Sequence, residues 1–336
     1  MRLLVTGGAG FIGTNFVRWV RQFQPEVVIT VLDAYTYAAQ GRNLEVDGWL
    51  TDQGGSVRVV RGDIRDAELV HDLVRVHDAV VHFAAESHND LSLDRPLEFV
   101  DVNVRGTGVL LEAVRAHSVR FHHVSTDEVF GDLTLNDPPF TRLSPYRPSS
   151  PYSSSKASAD HLVRAWVRSY GVNATISICS NNYGPFQHVE KFIPRQITEL
   201  LEGRPPRIYG SGRNVRDWIH VDDHSAGVWA ALTGGAMGQT YLLGARSEFS
   251  NLEVVHTLLD IFGRPRTDLL QVADRAGHDL RYAIDPSDTE GELGWRATSR
   301  LIYDELERLV HWYDSQQGWW MPLKQATEGR YLARGQ

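Results

Sequence analysis

The sequence predicts a doubly wound α/β fold, with a parallel sheet between layers of helices, followed by a smaller C-terminal domain of different pattern. Three observations carry that expectation. Short β-branched runs at 3–6, 27–32, 57–60, 79–83, 120–125 and 174–179 alternate with longer amphipathic stretches, the pattern of successive βαβ units. A glycine-rich turn, Gly7-Gly8-Ala9-Gly10-Phe11-Ile12-Gly13, joins the first run to the amphipathic stretch 14–23. Past residue 180 the alternation gives way to segments punctuated by Gly203-Arg-Pro-Pro206 and Gly210-Ser-Gly212, with shorter helical patterns at 251–262 and 299–313. The expected organisation is therefore a first domain over 1–180 and a second mainly over 181–324, some of whose segments return to the first. Residues 325–336 read as a weakly structured tail, and there is no internal repeat.

Composition narrows the function classes. A chain of 336 residues with 42% hydrophobic content can bury one large core or two unequal ones. Its 34 basic and 42 acidic residues give a net charge of −8, and the basic ones form no run, so no nucleic-acid footprint is expected. No apolar run approaches membrane-spanning length. The first motif opens at Leu3, with no room for a charged and then apolar leader, so a cytoplasmic location without a membrane partner is expected. The single cysteine, Cys179, excludes an internal disulfide and a Cys-based metal site, and reads as a small buried apolar residue. Lysine occurs only at 156, 191 and 324 in a chain that otherwise uses arginine.

The helix expected at 96–117 carries Phe99, Val100, Val104, Leu110, Leu111 and Val114 as its apolar stripe, leaving another face for a partner. The glycine-rich turn lets the backbone approach a pyrophosphate at a helix N-terminus, where free N–H groups and the helix dipole favour an anion. Asp33 follows Gly13 by twenty residues at the end of the next strand, where a carboxylate accepts hydrogen bonds from a ribose diol and repels a 2′-phosphate. That spacing predicts NAD rather than NADP. Asp63-Ile64 and Phe83-Ala84-Ala85 fall at the carboxyl ends of the third and fourth strands, where open α/β sheets place ligands; Asp63 reads equally well as a helix cap.

Two further motifs suggest chemistry. In Tyr152-Ser-Ser-Ser-Lys156 the i, i+4 spacing puts a phenol and an ammonium on one helix face, where the cation can stabilise a phenolate and make Tyr152 a base. A solvated surface pair is the bland alternative. Ser125-Thr126-Asp127-Glu128-Val129-Phe130-Gly131 sets two adjacent carboxyls at the end of the fifth strand, enough to remove a proton from one carbon and deliver another to a leaving group. The alternative is a pair of acids capping a strand-to-helix turn.

Together with Ala84-Ala85-Glu86-Ser87-His88, Cys179-Ser-Asn-Asn-Tyr-Gly-Pro185, Glu190-Lys-Phe-Ile-Pro194, Arg216-Asp-Trp218 and Asp274-Arg-Ala-Gly-His278, these motifs resemble the extended short-chain dehydrogenases/reductases, and among them the dTDP-glucose 4,6-dehydratase family. The motifs run in order over nearly the whole chain, and Thr-Asp-Glu is the discriminating one. The resemblance implies a Rossmann-type sheet with a substrate-binding C-terminal domain, a tightly held NAD regenerated each cycle, and a homodimer joined through helices 96–117 and 152–170. It implies that Tyr152 takes the C4 hydroxyl proton while NAD takes the C4 hydride, with Lys156 supporting Tyr152 and Thr126 holding the ketone oxygen. Glu128 then removes the C5 proton, Asp127 protonates the C6 hydroxyl as water leaves, and the hydride returns to C6. For that acid role the Asp127 pKa must be raised by burial and by Glu128.

The same resemblance assigns cofactor contacts to Gly7, Gly10, Phe11, Ile12, Gly13, Asp33, Ala34, Tyr35, Thr36, Asp63, Ile64, Phe83, Ala84, Ala85, Tyr152, Lys156 and Asn182. The nucleotide-diphosphate hexose, dTDP-glucose by preference, falls to Ser87, Thr126, Asn181, Lys191, Phe192, Arg207, Tyr209, Arg216, Asn251, Arg275 and His278, with cationic and forked donors for the diphosphate. For Arg275 and His278 a surface ion pair is the alternative, Glu86 is left a structural hydrogen bond, and no metal ligand set is expected. Five positions depart from the family pattern. After Ser87-His88 the family reads Val-Asp-Arg where this chain has Asn89-Asp90-Leu91, and it favours Tyr, Thr and Pro where this chain has Phe130, Val102 and Ala276. The lost guanidinium at Leu91 leaves a 4-epimerase, or a dehydratase acting on another nucleotide hexose, as the second expectation.

Overall fold

In the computed structural model, which describes residues 1–39, 43–44, 57–273, 279–301 and 303–333, the six apolar runs lie side by side in one sheet. The first half runs β1 (Arg2–Thr6), α1 (Phe11–Phe23), β2 (Val28–Asp33), β3 (Val57–Arg61), α2 (Ala67–Val74), β4 (Ala79–His82), α3 (Asn89–Asp94), α4 (Pro96–Phe99), a π-helical stretch (Val100–Arg105), α5 (Gly106–His117), β5 (Arg120–Thr126), a 3-10 turn (Asp127–Phe130), α6 (Pro151–Tyr170) and β6 (Ala174–Cys179). The second half runs β7 (Asn181–Tyr183), α7 (Phe192–Leu201), β8 (Arg207–Tyr209), β9 (Val215–His220), α8 (Val221–Gly234), β10 (Thr240–Leu243), β11 (Glu248–Ser250), α9 (Asn251–Ile261), β12 (Leu270–Val272), β13 (Arg281–Tyr282), α10 (Ser287–Leu293), α11 (Tyr303–Ser315) and α12 (Gln317–Ala333).

The large sheet has the order β3-β2-β1-β4-β5-β6-β10 with every neighbouring pair parallel, so the chain leaves β1 in both directions. That reversal between β1 and β4 opens a crevice at the strand carboxyl ends, the place such sheets bind ligands. One face of the sheet is covered by α2, α5 and α6 through Leu4, Val80, Leu110, Leu111, Phe121 and Val163, and the other by α1 and α8 through Leu3, Phe16, Val17, Val81, Val228 and Leu232. Helix α6 begins where Ser150 and Ser153 cap each other reciprocally with Pro151 at the first helical position, and it stops at Gly171 with φ +69°. Cap interactions of this kind contribute about 1 kcal/mol each.

Two histidines inside the sheet, His82 and His122, are satisfied by hydroxyls. The Thr107 hydroxyl donates to the Asn103 carbonyl (2.6 Å), so it accepts from His82 Nε2 (3.0 Å), leaving His82 Nδ1 to accept from Thr6 Oγ1 (2.7 Å). This chain locks β1, β4 and α5 together around a neutral imidazole whose pKa burial holds well down.

The segment at 96–117 is helical throughout but not uniformly α. Its π-helical stretch turns Asn103 inward, where the amide binds both the N–H and the carbonyl of Glu86 (2.9 and 3.0 Å) and the Ser155 hydroxyl (2.9 Å). The extra residue in the turn shifts the expected stripe: Phe99, Leu110, Leu111 and Val114 are buried, while Val100 is 48% exposed.

Segments of the second half divide between two places. Helix α8 and strand β10 complete the large sheet, whereas β11-β9-β13, with β7 on β9, and the β12-β8 pair form smaller sheets. Around them Tyr183, Phe186, Trp218, Tyr313, Trp319 and Trp320 build a separate aromatic cluster with α7, α9 and α11. No helix among the described residues is long and apolar enough to cross a membrane.

The expected tail is a correction, because α12 continues to Ala333. It is pinned by Lys324, 5% exposed, whose ammonium meets Thr198 Oγ1 (3.0 Å), Glu199 Oε1 (3.3 Å) and Glu202 Oε2 (2.8 Å) on and just after α7. Burial alone would push the Glu199 carboxyl up, but Arg204 and Lys324 outweigh it and hold the group below its ordinary value. A carboxylate held low stabilises the fold above its unfolded-state pKa and loses that contribution as pH falls through its folded-state pKa. Lys324→Met should therefore cost about 3 kcal/mol at neutral pH, the lower end for a broken buried pair because Arg204 still faces Glu199. Thermal melts should show the gap between the two chains closing at acid pH, as the pH falls through the lowered folded-state pKa of Glu199.

Candidate active site

Strand β5 ends at the crevice, and the chain turns there into one tight helical turn. The Thr126 hydroxyl caps that turn by accepting the Glu128 N–H (3.4 Å) and donates to Asp127 Oδ1 (3.4 Å). The two acids thus emerge side by side in different surroundings. Asp127 is 2% exposed and its Oδ2 has no hydrogen-bond partner. Burial, and then the Glu128 and Asp217 carboxylates, push its pKa well above the carboxylate range. Glu128 is also raised by burial, but the Asn89 amide, Lys191 and Arg216 favour its charged form. At neutral pH this pair separates into a proton donor and a more readily ionised base.

Helix α6 brings Tyr152 and Lys156 to the same crevice, both buried. The Lys156 ammonium donates to the Val124 carbonyl (2.8 Å) and lies 3.4 Å from His123 Nε2. Burial lowers its pKa to about 8, opposed by Asp160. Behind it the Asp160 carboxylate accepts from Ser125 Oγ (2.9 Å) and Tyr146 OH (2.7 Å) and sits 3.2 Å from His123 Nε2. Burial and the Glu128 carboxylate push Tyr152 well above its ordinary value, while Lys156 is turned toward the strand backbone.

One cavity of about 360 Å³ joins these groups to the glycine-rich turn. Its walls include Gly7, Gly10, Phe11, Ile12, Gly13, Asp33, Ala34, Thr36, Asp63, Ile64, Phe83, Ala84 and Ala85, together with Ser87, Thr126, Asp127, Glu128, Tyr152, Lys156, Asn181, Asn182 and Lys191. The turn is glycine for steric reasons. A Cβ at Gly13 would lie 2.2 Å from the Gly7 carbonyl oxygen, and one at Gly7, where φ is +72°, 2.5 Å from the Ala84 nitrogen. Asp33, buried at the end of β2, accepts the Ala9 N–H (2.9 Å) and the Tyr35 N–H (2.8 Å), which fixes its carboxylate beside the turn with lone pairs left for a ribose diol. Ser180 Oγ, Asn181 Oδ1, Asn182 Oδ1 and Gln187 Oε1 belong to wall residues and are buried without a protein partner, a costly state that a polar ligand relieves. These features fit a dinucleotide.

Several expected contacts lie elsewhere. Tyr35, at φ +54°, does not line the cavity, and Arg61 lies over its ring. Asp63 lines it but is not a helix cap: its carboxylate holds Arg65 (2.6 Å), and Asp66 caps α2. Phe192 packs on Trp218, and Arg207, Tyr209 and Asn251 sit on β8 and at the start of α9, outside this cavity. The Arg216 guanidinium donates to the carbonyls of Val215, Asp279 and Leu280 and lies over the Tyr282 ring, so its effect on the paired acids is one of charge. Arg275 and His278 lie outside the described residues. Sequence reasoning missed the Asn89–Glu128 hydrogen bond, the Asp160–His123–Lys156 cluster and the wall residues Gln187 and Glu190. Asn89 carried a signal as a departure from the family pattern, and Glu190 as the first residue of a motif shared with it.

The geometry has counterparts among known proteins. A family model described as GDP-mannose 4,6 dehydratase matches residues 4–303. The dTDP-glucose 4,6-dehydratase of Mycolicibacterium smegmatis is 58% identical over 337 residues, covering 100% of both chains. DesIV, a dTDP-glucose 4,6-dehydratase from Streptomyces venezuelae with NAD bound, is 45% identical, with a TM-score of 0.90 over 96% of this chain and 100% of that one. The dTDP-glucose 4,6-dehydratase of Bacillus anthracis in complex with NAD is 39% identical, with a TM-score of 0.89 over 96% and 99% of the two chains. Likeness of this extent, joined to a sheet edge that carries two acids in unlike surroundings, means that the chain belongs to the dTDP-glucose 4,6-dehydratase family of the extended short-chain dehydrogenases/reductases.

Proposed function

We propose that the protein is an NAD-dependent dTDP-glucose 4,6-dehydratase, a hydro-lyase forming dTDP-4-keto-6-deoxyglucose by oxidation at C4, loss of water across C5 and C6, and reduction at C6. The observation that carries this reading is the unequal treatment of the two acids at the end of β5. A reaction that only moved a hydride at C4 would need Tyr152 alone; elimination needs a second acid and a second base. NAD, with its pyrophosphate at the Gly7 to Gly13 turn and a ribose diol on Asp33, supplies a hydride acceptor for C4 and a hydride donor for C6.

The residues of the chain do the rest. Tyr152 takes the proton of the C4 hydroxyl, with Lys156, one helical turn on, as the cation opposing the nearby carboxylates. Thr126 presents its hydroxyl to the C4 oxygen. The 4-keto group acidifies C5–H, Glu128 removes that proton, and Asp127, kept protonated by burial, delivers its own to the C6 hydroxyl as water departs. Lys191 brings a cation to the cavity wall for the diphosphate, its ammonium donating to the Ser87 carbonyl (3.2 Å). The second half of the chain is then the substrate lobe, and a soluble sugar nucleotide suits a cytoplasmic enzyme.

The reading also includes a homodimer. The outer side of α4, the π-helical stretch, α5 and α6 forms a shallow groove lined by Leu97, Val100, Val104, Val109, Leu162 and Trp166, with Leu97 79% exposed. A second copy offering the same surface about a two-fold axis would cover it as a four-helix contact.

Purified protein incubated with dTDP-glucose should give the base-induced absorbance of a 4-keto-6-deoxy sugar; recovery of isomerised or unchanged hexose instead would sink the dehydratase reading. Glu128→Gln should still oxidise C4 but stall before elimination, with kcat down by at least about a hundredfold and bound NADH visible by absorbance during turnover. Leu97→Glu combined with Val100→Glu should convert the dimer to a monomer by light scattering at micromolar concentration, and a monomeric parent protein would contradict the assembly.

A further inference from the structure

Glu128 receives one side-chain hydrogen bond among the described residues, and it comes from outside the motifs assigned to the chemistry. Asn89 Nδ2 donates to Glu128 Oε2 at 2.8 Å. We propose that Asn89 is the positioning residue of the elimination base, holding the Glu128 carboxylate ionised and turned toward C5 of the sugar. The inference rests on the dehydratase reading and adds to it a residue that sets when Glu128 can work.

Asn89 is itself held. It is the first residue of α3, whose N-terminus is capped by His88 Nδ1 accepting the Leu91 N–H (3.4 Å), and its carbonyl accepts from Ser92 Oγ (2.6 Å). His88 is in turn tied to the far wall, its Nε2 lying 3.5 Å from Glu190 Oε2. The amide orientation follows from the carboxylate, because a flipped amide would set Asn89 Oδ1 against Glu128 Oε2, two acceptors with no proton between them. As placed, Oδ1 is buried with no partner of its own.

The cations whose charge bears on Glu128 are engaged with other groups. Lys191 and Arg216 favour its ionised form, but the first donates to the Ser87 carbonyl and the second to backbone carbonyls at Val215, Asp279 and Leu280. Asp279 opposes its charge, and the Glu128 carboxylate in turn raises Asp127, Tyr152 and Tyr282, which favours their neutral forms. A direct Lys or Arg contact would hold the carboxylate as a weak base. A neutral amide donor favours the anion less strongly and leaves Glu128 basic enough to take a proton from carbon.

The test is the pH dependence of kcat on dTDP-glucose for the parent protein, Asn89→Leu and the isosteric Asn89→Asp, each first compared with the parent by thermal melt and by the content of bound NAD. In Asn89→Leu the acid limb should move up by about one pH unit, lowering kcat about tenfold on its acid side and recovering at alkaline pH. In Asn89→Asp, where a like charge faces Glu128, the limb should move further. In both, C4 oxidation persists and bound NADH accumulates during turnover near neutral pH. Loss of a merely structural contact would lower kcat evenly across pH. Variants with the parent's stability, an unmoved acid limb and no NADH accumulation overturn the inference. A parent protein that makes no 4-keto product at any pH sinks the dehydratase reading itself, and this inference with it.

Discussion

Removal of water from the carboxyl edge of β5 governs the chemistry of this protein. Asp127, Tyr152 and Lys156 are buried and Glu128 is partly so, and burial is the largest influence on all four. In water two adjacent carboxyls would both be ionised at neutral pH and indistinguishable. Here the neutral form of one acid is favoured, and the charged form of the other is retained through an amide and two cations. The fold creates that edge by two means: the strand order that opens the crevice between β1 and β4, and the aromatic lobe carrying Lys191 and Arg216 against it.

How much of this was legible depended on how local each signal was. The glycine-rich turn, Asp33, the Thr126 segment and the Tyr152 to Lys156 spacing are short-range patterns, and one cavity gathers them all. The six strands were legible because buried parallel strands read as continuous β-branched runs. Strand β10 (Thr240–Leu243) was not read as a partner of β6, since nothing in four residues says which sheet they join. The direction of the Lys156 side chain was equally hidden, because a helical spacing fixes a face but not whether an ammonium turns to a phenol or to the Val124 carbonyl. Asp63 reads as a cap because it precedes a helix, yet Arg65, two residues on, captures its carboxylate and leaves the cap to Asp66.

The substrate lobe was the least legible part, for a physical reason. Its recognition groups come from separated loops and short strands, and their side chains are spent partly on one another: Arg216 on three carbonyls and Tyr282, Phe192 on Trp218. A sequence motif records that such residues occur and not which of them the lobe consumes in holding itself together. Helix α12 shows the same limit, since Lys324 looks like a surface lysine near a chain end until Glu199 and Glu202 are placed beside it.

The π-helical stretch at Val100–Arg105 has an effect on how this segment can change in evolution. Upstream, the helix shows Leu97 and Val100 to the outside; downstream, it presses Leu110, Leu111 and Val114 onto the sheet; between them Asn103 reaches Glu86 and Ser155. Each α-helical residue advances the chain by about 100°, so adding or deleting one here would rotate the outer groove away from its neighbours or pull Asn103 out of the interior. The outer surface can therefore exchange one apolar side chain for another while its length stays fixed, and a shape drawn by counting residues will outlast one drawn by their identity.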